Sequence, residues 1–223
     1  MKFTYIKKQL EVDNVWSFYF KPASTYRFVE GQFLEMSLEG DQSDQRGSKR
    51  WFSISSSSQD ELIRITTRKF DQASSFKKRL FDLQSGQEVE CSNPMGDFVL
   101  PKNTDVPLIF IAVGIGITPF ASMLERYVIQ QDRKISLLYQ VEDTDQYLFQ
   151  NELAQINFSS FKVTSDKLNV QEILNFASES NNPTYYLAGP ELFMETLTKN
   201  LIIHGIDSRQ IVTDYFPGYE TNS

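Results

Sequence analysis

The sequence predicts a two-part β + α/β protein, an antiparallel barrel followed by a parallel sheet covered by helices, and three observations carry that expectation. From Lys2 to Leu100 apolar and polar residues alternate in short runs broken by turn residues. Beyond Pro101 the period changes to continuous apolar runs separated by helical stretches. The chain has 223 residues, 40% of them hydrophobic and 13% aromatic, enough to fill two modest cores.

In the first half, Asn14 to Phe20, Gln32 to Leu38, Trp51 to Ser56 and Leu62 to Lys69 read as antiparallel strands. One helix interrupts them: Ser74 and Ser75 are good N-cap types before Phe76 to Leu83, which sets Phe76, Leu80 and Leu83 on one face. Many strands and one helix suggest a small barrel, which removes exposed sheet edges. The boundary is expected near Lys102 to Val106, giving domains over 1–102 and 106–223.

In the second half, Leu108 to Val113 reads as a buried strand, Pro119 to Gln130 as a helix, Ile135 to Val141 as a strand and Gln146 to Gln155 as a helix. Phe161 to Thr164, Val170 to Ala177, Thr184 to Ala188 and Pro190 to Ile203 continue the alternation of strand and helix. A parallel sheet of this kind receives ligands at the carboxyl ends of its strands.

Composition excludes several functions. Cys91 and His204 are the single cysteine and histidine, too few thiolates and imidazoles for a disulfide, an iron-sulfur cluster or a thiolate zinc site. No metal site is therefore expected, and any redox centre has to be organic. The net charge is −7. Residues 1–105 carry 15 Lys/Arg against 15 Asp/Glu and the remainder 7 against 14, so the second half holds all the excess negative charge. That balance argues against nucleic acid. No apolar run approaches the length of a bilayer span, and Met1 to Leu10 lacks a signal-peptide core, so a cytoplasmic location is expected.

The sharpest motif is Val113-Gly114-Ile115-Gly116-Ile117-Thr118-Pro119-Phe120, joining the end of a buried strand to a helix. Glycines there permit a tight turn and let a diphosphate approach the backbone. Thr118 can cap the helix, Pro119 suits its first position, and free N–H groups attract an anion. An ordinary strand-to-helix turn would use the same residues, since proline replaces the third glycine of the dinucleotide fingerprint. Tyr139-Gln140 and Ala188-Gly189-Pro190 fall at two further strand ends facing the same crevice. In the first half, alternation through Arg50-Trp51-Phe52-Ser53 sends Arg50 and Phe52 to one face and Trp51 and Ser53 to the other. The segment supplies a forked cation for phosphate, a flat ring for stacking and a hydroxyl for a ring nitrogen. Ser74 and Ser75, at a helix start, can meet a second phosphate or serve only as caps.

Together these segments resemble the ferredoxin-NADP reductase family of flavoenzymes, in the same order across nearly the whole chain. The resemblance implies a six-stranded antiparallel Greek-key FAD-binding barrel followed by a parallel-sheet, Rossmann-like nucleotide-binding domain. By this resemblance Arg50 binds FAD phosphates, Phe52 stacks on the flavin, and Ser53, the candidate catalytic residue, hydrogen-bonds near N5, with Trp51 in the same motif. Ile65, Thr66, Thr67 and Arg68 resemble the second flavin-contacting strand, and Ala73-Ser74-Ser75 the pyrophosphate-binding helix start. Gly31-Gln32-Phe33 and Asn93 to Phe98 look like barrel signatures. Gly114, Gly116 and Thr118 match the nucleotide loop, and Tyr139 and Gln140 the ribose side. Ala188, Gly189 and Pro190 match the nicotinamide pocket, and Asp214 to Tyr219, with Phe216, the carboxyl-terminal ending.

Three departures accompany the match. Phe52 keeps the usual tyrosine's ring without its hydroxyl, Ala188 stands where many members have cysteine, and Asp71 stands where glycine is common. Phenylalanine and alanine at the first two places also occur in related NAD(P)H:flavin reductases. The implied cofactors are FAD and NADH or NADPH as co-substrate, with NADH favoured because Tyr139-Gln140 runs into Val141-Glu142-Asp143, unless Arg126 or Arg133 reaches that pocket in the fold. The implied partner is a ferredoxin or oxygenase component, or alternatively free flavin, released reduced; a flavin-binding or nucleotide-binding module without turnover is a third reading.

Overall fold

The computed structural model describes residues 1–38, 47–70, 72–130 and 133–216, without the side chains of 128–130, 215 and 216. Six strands form the first sheet: β1 (Lys2–Val12), β2 (Val15–Pro22), β3 (Phe33–Ser37), β4 (Lys49–Ser53), β5 (Ile63–Arg68) and β6 (Glu88–Cys91). Their order is β4-β3-β6-β1-β2-β5 and every pairing is antiparallel. The two edge strands curl toward each other and meet at a bridge between Ile54 and Ile65. The sheet is therefore a barrel with a seam between β4 and β5. Its interior is built by the expected alternation: Phe18 and Phe20 of β2, Leu34 and Met36 of β3, and Ile63 and Ile65 of β5 are buried in one cluster. Helix α1 (Ser75–Asp82) closes one side by burying Phe76, Leu80 and Phe81.

The second sheet holds β7 (Leu108–Val113), β8 (Ile135–Gln140), β9 (Ser160–Thr164), β10 (Thr184–Pro190) and β11 (Ile211–Phe216), all parallel, in the order β11-β10-β7-β8-β9. Helices α2 (Thr118–Gln130), α3 (Gln150–Leu153), α4 (Val170–Phe176) and α5 (Glu191–Ile203) connect or cover the strands. The central strand β7 is buried from Leu108 to Ala112 because both faces meet apolar layers, Phe110 and Ala112 on one side and Ile109 and Ile111 on the other. Among the described residues no helix is long and apolar enough to cross a membrane.

Three sequence expectations are corrected. The helix expected over Gln146 to Gln155 shrinks to Gln150–Leu153, because Leu148 and Phe149 are drawn into the core and Phe149 turns to a left-handed φ of 62°. Thr118 is the first residue of α2 and does not cap it: its hydroxyl donates to the Ile115 carbonyl (3.0 Å) of a 3-10 turn spanning Gly114–Ile117. The strand β10 runs to Pro190, past the expected end at Ala188, because β11 pairs with it through Phe216.

The two sheets are tied together by buried polar contacts. Arg64 of β5 donates to the Ser55 carbonyl, pairs with Glu125 of α2, lies 3.5 Å from Glu152 of α3, and stacks 4.7 Å from the Phe149 ring. Glu30, 3% exposed, accepts from Ser58 and from Arg126 of α2 (2.8 Å). The Gly31 N–H donates to Ser122 (3.0 Å), and the Tyr186 hydroxyl donates to the Val99 carbonyl (2.8 Å). Val15 and Phe98 of the first half are part of the second half's core.

Candidate active site

The seam brings the first-half candidates together. Phe52 packs against Phe76 of α1, ring centroids 5.9 Å apart, and the Arg50 guanidinium lies 5.2 Å from the same ring. Ser53 is buried at the end of β4, on the face that alternation gives to Trp51. Ser74 is the N-cap of α1 and accepts from the Lys77 N–H (3.3 Å), with Ser75 in the first turn. A guanidinium, a ring and the N-terminal end of an eight-residue helix thus come together on one side of the seam.

Across the seam, β5 presents Ile65 to Arg68. Ile65 faces the barrel interior, opposite Phe18. Thr66 turns the other way, and its hydroxyl is shared between Ser17 (2.8 Å) and Ser55 (2.9 Å). Thr67 is buried, and Arg68 reaches the second half, where it pairs with Glu142 at 2.7 Å. From this strand a bound ring would meet backbone more than side chain, since Ile65 and Thr66 are both engaged elsewhere. Trp51 stands apart from the other candidates: it is 62% exposed on the opposite face of β4, and its indole N–H donates to Glu35 (3.2 Å).

The turn Gly114–Ile117 packs against β5, so the nucleotide-loop candidates adjoin the seam. Gly114 has φ +54° and open space where a side chain would be, so no side chain covers the turn there. Gly116 is required by close packing: a Cβ there would lie 2.1 Å from the Ala188 carbonyl oxygen. Ala188 itself is fully buried in the core, and Gly189 and Pro190 carry β10 up to its end beside β11. The backbone of Phe216 pairs with Pro190, while its side chain and Pro217 to Tyr219 lie outside the described residues, as does Asp71.

Tyr139 and Gln140 occupy structural positions at this strand end. The Tyr139 hydroxyl donates to the Gly114 carbonyl (3.1 Å), and its burial drives the phenol far above its ordinary pKa, so it stays a neutral donor holding the turn. Gln140 accepts from the Leu168 N–H (2.9 Å), fixing the loop after β9. A cavity of about 350 Å³ opens beside them, lined from the first half by Asp13 and Arg68 and from the second by Gly114, Tyr139, Glu142 and Asp143. A larger cavity of about 480 Å³, around Lys2, Arg79 and Glu88, contains none of the candidate residues.

Residues 110–199 match the family model described as the oxidoreductase NAD-binding domain. The chain is 26% identical over 235 residues to flavohemoprotein A of Dictyostelium discoideum, covering 94% of this chain and 58% of that relative. Its fold superposes on the FAD/NAD-binding domain of the nitric oxide dioxygenase of Vibrio cholerae with a TM-score of 0.80 at 24% identity, covering 96% of this chain and 98% of that one. A ferredoxin-NADP+ reductase from Neisseria gonorrhoeae with bound FAD and NADP gives 0.77 at 19% identity, over 96% and 98% of the two chains. The chain shares the fold of these reductase domains and, over residues 110–199, the oxidoreductase NAD-binding domain. The chain spans 58% of the flavohemoprotein's length.

Sequence reading missed the residues that hold the two halves in register, namely Glu30, Ser55 to Ser58, Arg64 and Glu125. The run Ser53 to Ser58 was their one visible signal, a serine stretch too polar for a strand's buried end. Its hydroxyls engage Arg64, Thr66 and Glu30.

Proposed function

We propose that this chain is an NAD(P)H-dependent flavin oxidoreductase that takes hydride from NADH onto FAD and passes electrons to a separate acceptor, such as a ferredoxin or an oxygenase component. The observation that carries this reading is the position of β5, which borders the barrel seam on one side and the Gly114–Ile117 turn on the other. A flavin along the seam and a nicotinamide above the turn would meet there. FAD, when bound, accepts the hydride and gives up the electrons.

The residues present fit such a group. Arg50 and the N–H groups at the start of α1, near Ser74 and Ser75, would hold its phosphates, and Phe52 would offer a ring face. Ser53 would donate or accept at the flavin's central nitrogen. Gly114 would leave open space for the nucleotide diphosphate, Gly116 would let the turn pack on β10, and Thr118 and Tyr139 would position the turn. Ala188 to Pro190 would shape the nicotinamide pocket, and Phe216 would close it. Hydride transfer needs two rings held in near contact in a dry cleft and no nucleophile, so a chain with one histidine suffices.

NADH is favoured over NADPH because the cavity beside the turn presents three carboxylates, Asp13, Glu142 and Asp143, near a single guanidinium. One cysteine and one histidine cannot hold a cluster, so no iron-sulfur acceptor lies within these 223 residues. A cytoplasmic site of action agrees with dependence on a soluble nicotinamide nucleotide. The second reading, a reductase that releases reduced flavin, is supported by Phe52, which stacks but offers no hydroxyl.

Anaerobic titration of the FAD-reconstituted protein with NADH and then NADPH, followed by gel filtration, tests both readings. Bleaching by NADH with flavin retained is the expected result. Bleaching with flavin lost from the protein favours the second reading, and absence of bleaching with either nucleotide leaves a binding module.

A further inference from the structure

The cavity beside the glycine turn has an electrostatic arrangement that its proposed ligand must disturb. Arg68, at the end of β5, and Glu142, just past β8, form a 2.7 Å ion pair that joins the two halves across this cavity. The Arg68 side chain is 28% exposed and that of Glu142 is 79% exposed, so the bond is screened by water and cheap to break. Among the described residues Arg68 is also the one cation lining the cavity, against three carboxylates. A dinucleotide's diphosphate entering beside Gly114 therefore finds the Arg68 guanidinium already engaged.

We propose that Arg68 and Glu142 form an exchangeable pair: the diphosphate of the entering nucleotide takes the guanidinium, and the released Glu142 carboxylate becomes the group that accepts a ribose hydroxyl and repels a 2′-phosphate. The inference rests on the reductase reading of this site. A guanidinium has two parallel donors matched to phosphate oxygens, so it gains on exchanging one exposed carboxylate contact for a forked one. Specificity follows from the same step. With NADH the freed carboxylate finds a hydroxyl donor, whereas with NADPH it faces a second anion beside Asp143. Asp143 differs from Glu142 in that its side chain accepts from the Asp145 N–H (2.8 Å).

Calorimetric titration of the FAD-reconstituted protein with ADP, NAD+ and NADP+ at low and high salt tests the exchange. Wild type is compared with Glu142→Gln, Arg68→Gln, the double variant and Asp143→Asn. Glu142→Gln is expected to tighten ADP about two- to fivefold, the scale of a partly exposed ion pair, and to tighten NADP+ more than NAD+. Arg68→Gln is expected to weaken all three, and in its background Glu142→Gln tightens ADP by less. Asp143→Asn is expected to relieve NADP+ and leave ADP unchanged. Equal ADP affinity in wild type and Glu142→Gln, equal tightening with and without Arg68, or an equal gain for ADP in Asp143→Asn overturns the exchange. A wild type that binds none of the three overturns the reductase reading together with this inference. A wild type that binds them while Glu142→Gln does not respond overturns the inference alone.

Discussion

Gly116 shows how little room the nucleotide turn has. A methyl at that position would sit 2.1 Å from the Ala188 oxygen and 2.8 Å from the Gly189 nitrogen, both backbone atoms of β10, so the turn and the strand must part. Gly116→Ala is expected to cost about 1–3 kcal/mol as overpacking and to slow NADH-driven flavin reduction at least tenfold, with flavin retention unchanged. Thermal melts and stopped-flow absorbance on the same sample check it. Glu30 is a second such residue, and it sets a pH dependence. Burial works to raise its pKa, and the hydrogen bonds from Ser58 and Arg126 outweigh that and hold it below the usual carboxylate range. A lowered folded pKa contributes stability that is present above the unfolded value, near 4.3, and is lost as pH falls through the folded value. The stability difference between wild type and Glu30→Gln, about 1–3 kcal/mol at pH 7 on the scale of hydrogen bonds to a charged group, is expected to shrink below about pH 4. Urea midpoints measured from pH 7 to pH 3 decide it.

At the scale of elements, α1 separates structural capping from ligand binding. Ser74 caps the helix with a long 3.3 Å bond to the Lys77 N–H, and the same end is the proposed seat of an FAD phosphate. Ser74→Ala is expected to lower stability by about 0.5–1 kcal/mol, the modest end of the capping range. It should also weaken FAD binding severalfold, read from flavin fluorescence on dilution; an unchanged FAD affinity would confine Ser74 to capping. This helix was legible in sequence because its cap and its apolar spacing are local. The glycine turn was legible for the same reason, although the role of Thr118 was not. Its hydroxyl is engaged by a 3-10 turn that only the approach of β10 imposes. The helix expected over Gln146 to Gln155 failed where tertiary burial of Leu148 and Phe149 overrode local preference. The strand β11 carried no apolar run long enough to stand out, since it lies at a sheet edge and gains its partner from β10. Likewise Thr66 and Tyr139 read as ligand contacts because their positions in the chain are right, while their hydroxyls serve Ser17, Ser55 and Gly114.

For the molecule as a whole, the geometry of any hydride transfer depends on how the barrel is set against the parallel sheet, and Arg64 is the main charge at that junction. Its side chain is 9% exposed, and it faces Glu125, 25% exposed, and Glu152, 41% exposed, while also holding the Ser55 carbonyl. Burial raises the Glu125 pKa, and the Arg64 charge opposes that rise. Removing the guanidinium leaves Glu125 next to Asp60 and Glu152 with nothing to neutralise it, which is where the cost of breaking a buried pair arises. Arg64→Ala is therefore expected to cost about 3 kcal/mol, toward the low end for such pairs because Glu125 keeps some solvent. The two halves share Val15 and Phe98 in one core, so wild type should melt in a single calorimetric transition. In Arg64→Ala that transition is expected to broaden or split as the halves uncouple, with NADH-driven flavin reduction falling more than flavin retention. The pair Arg64→Met with Glu125→Leu supplies the discriminating control, since replacing both charges by apolar groups of similar volume removes the stranded carboxylate. Recovery of most of the lost stability in the double variant, without recovery of the reduction rate, would assign Arg64 to positioning the halves; recovery of both would assign it to packing alone.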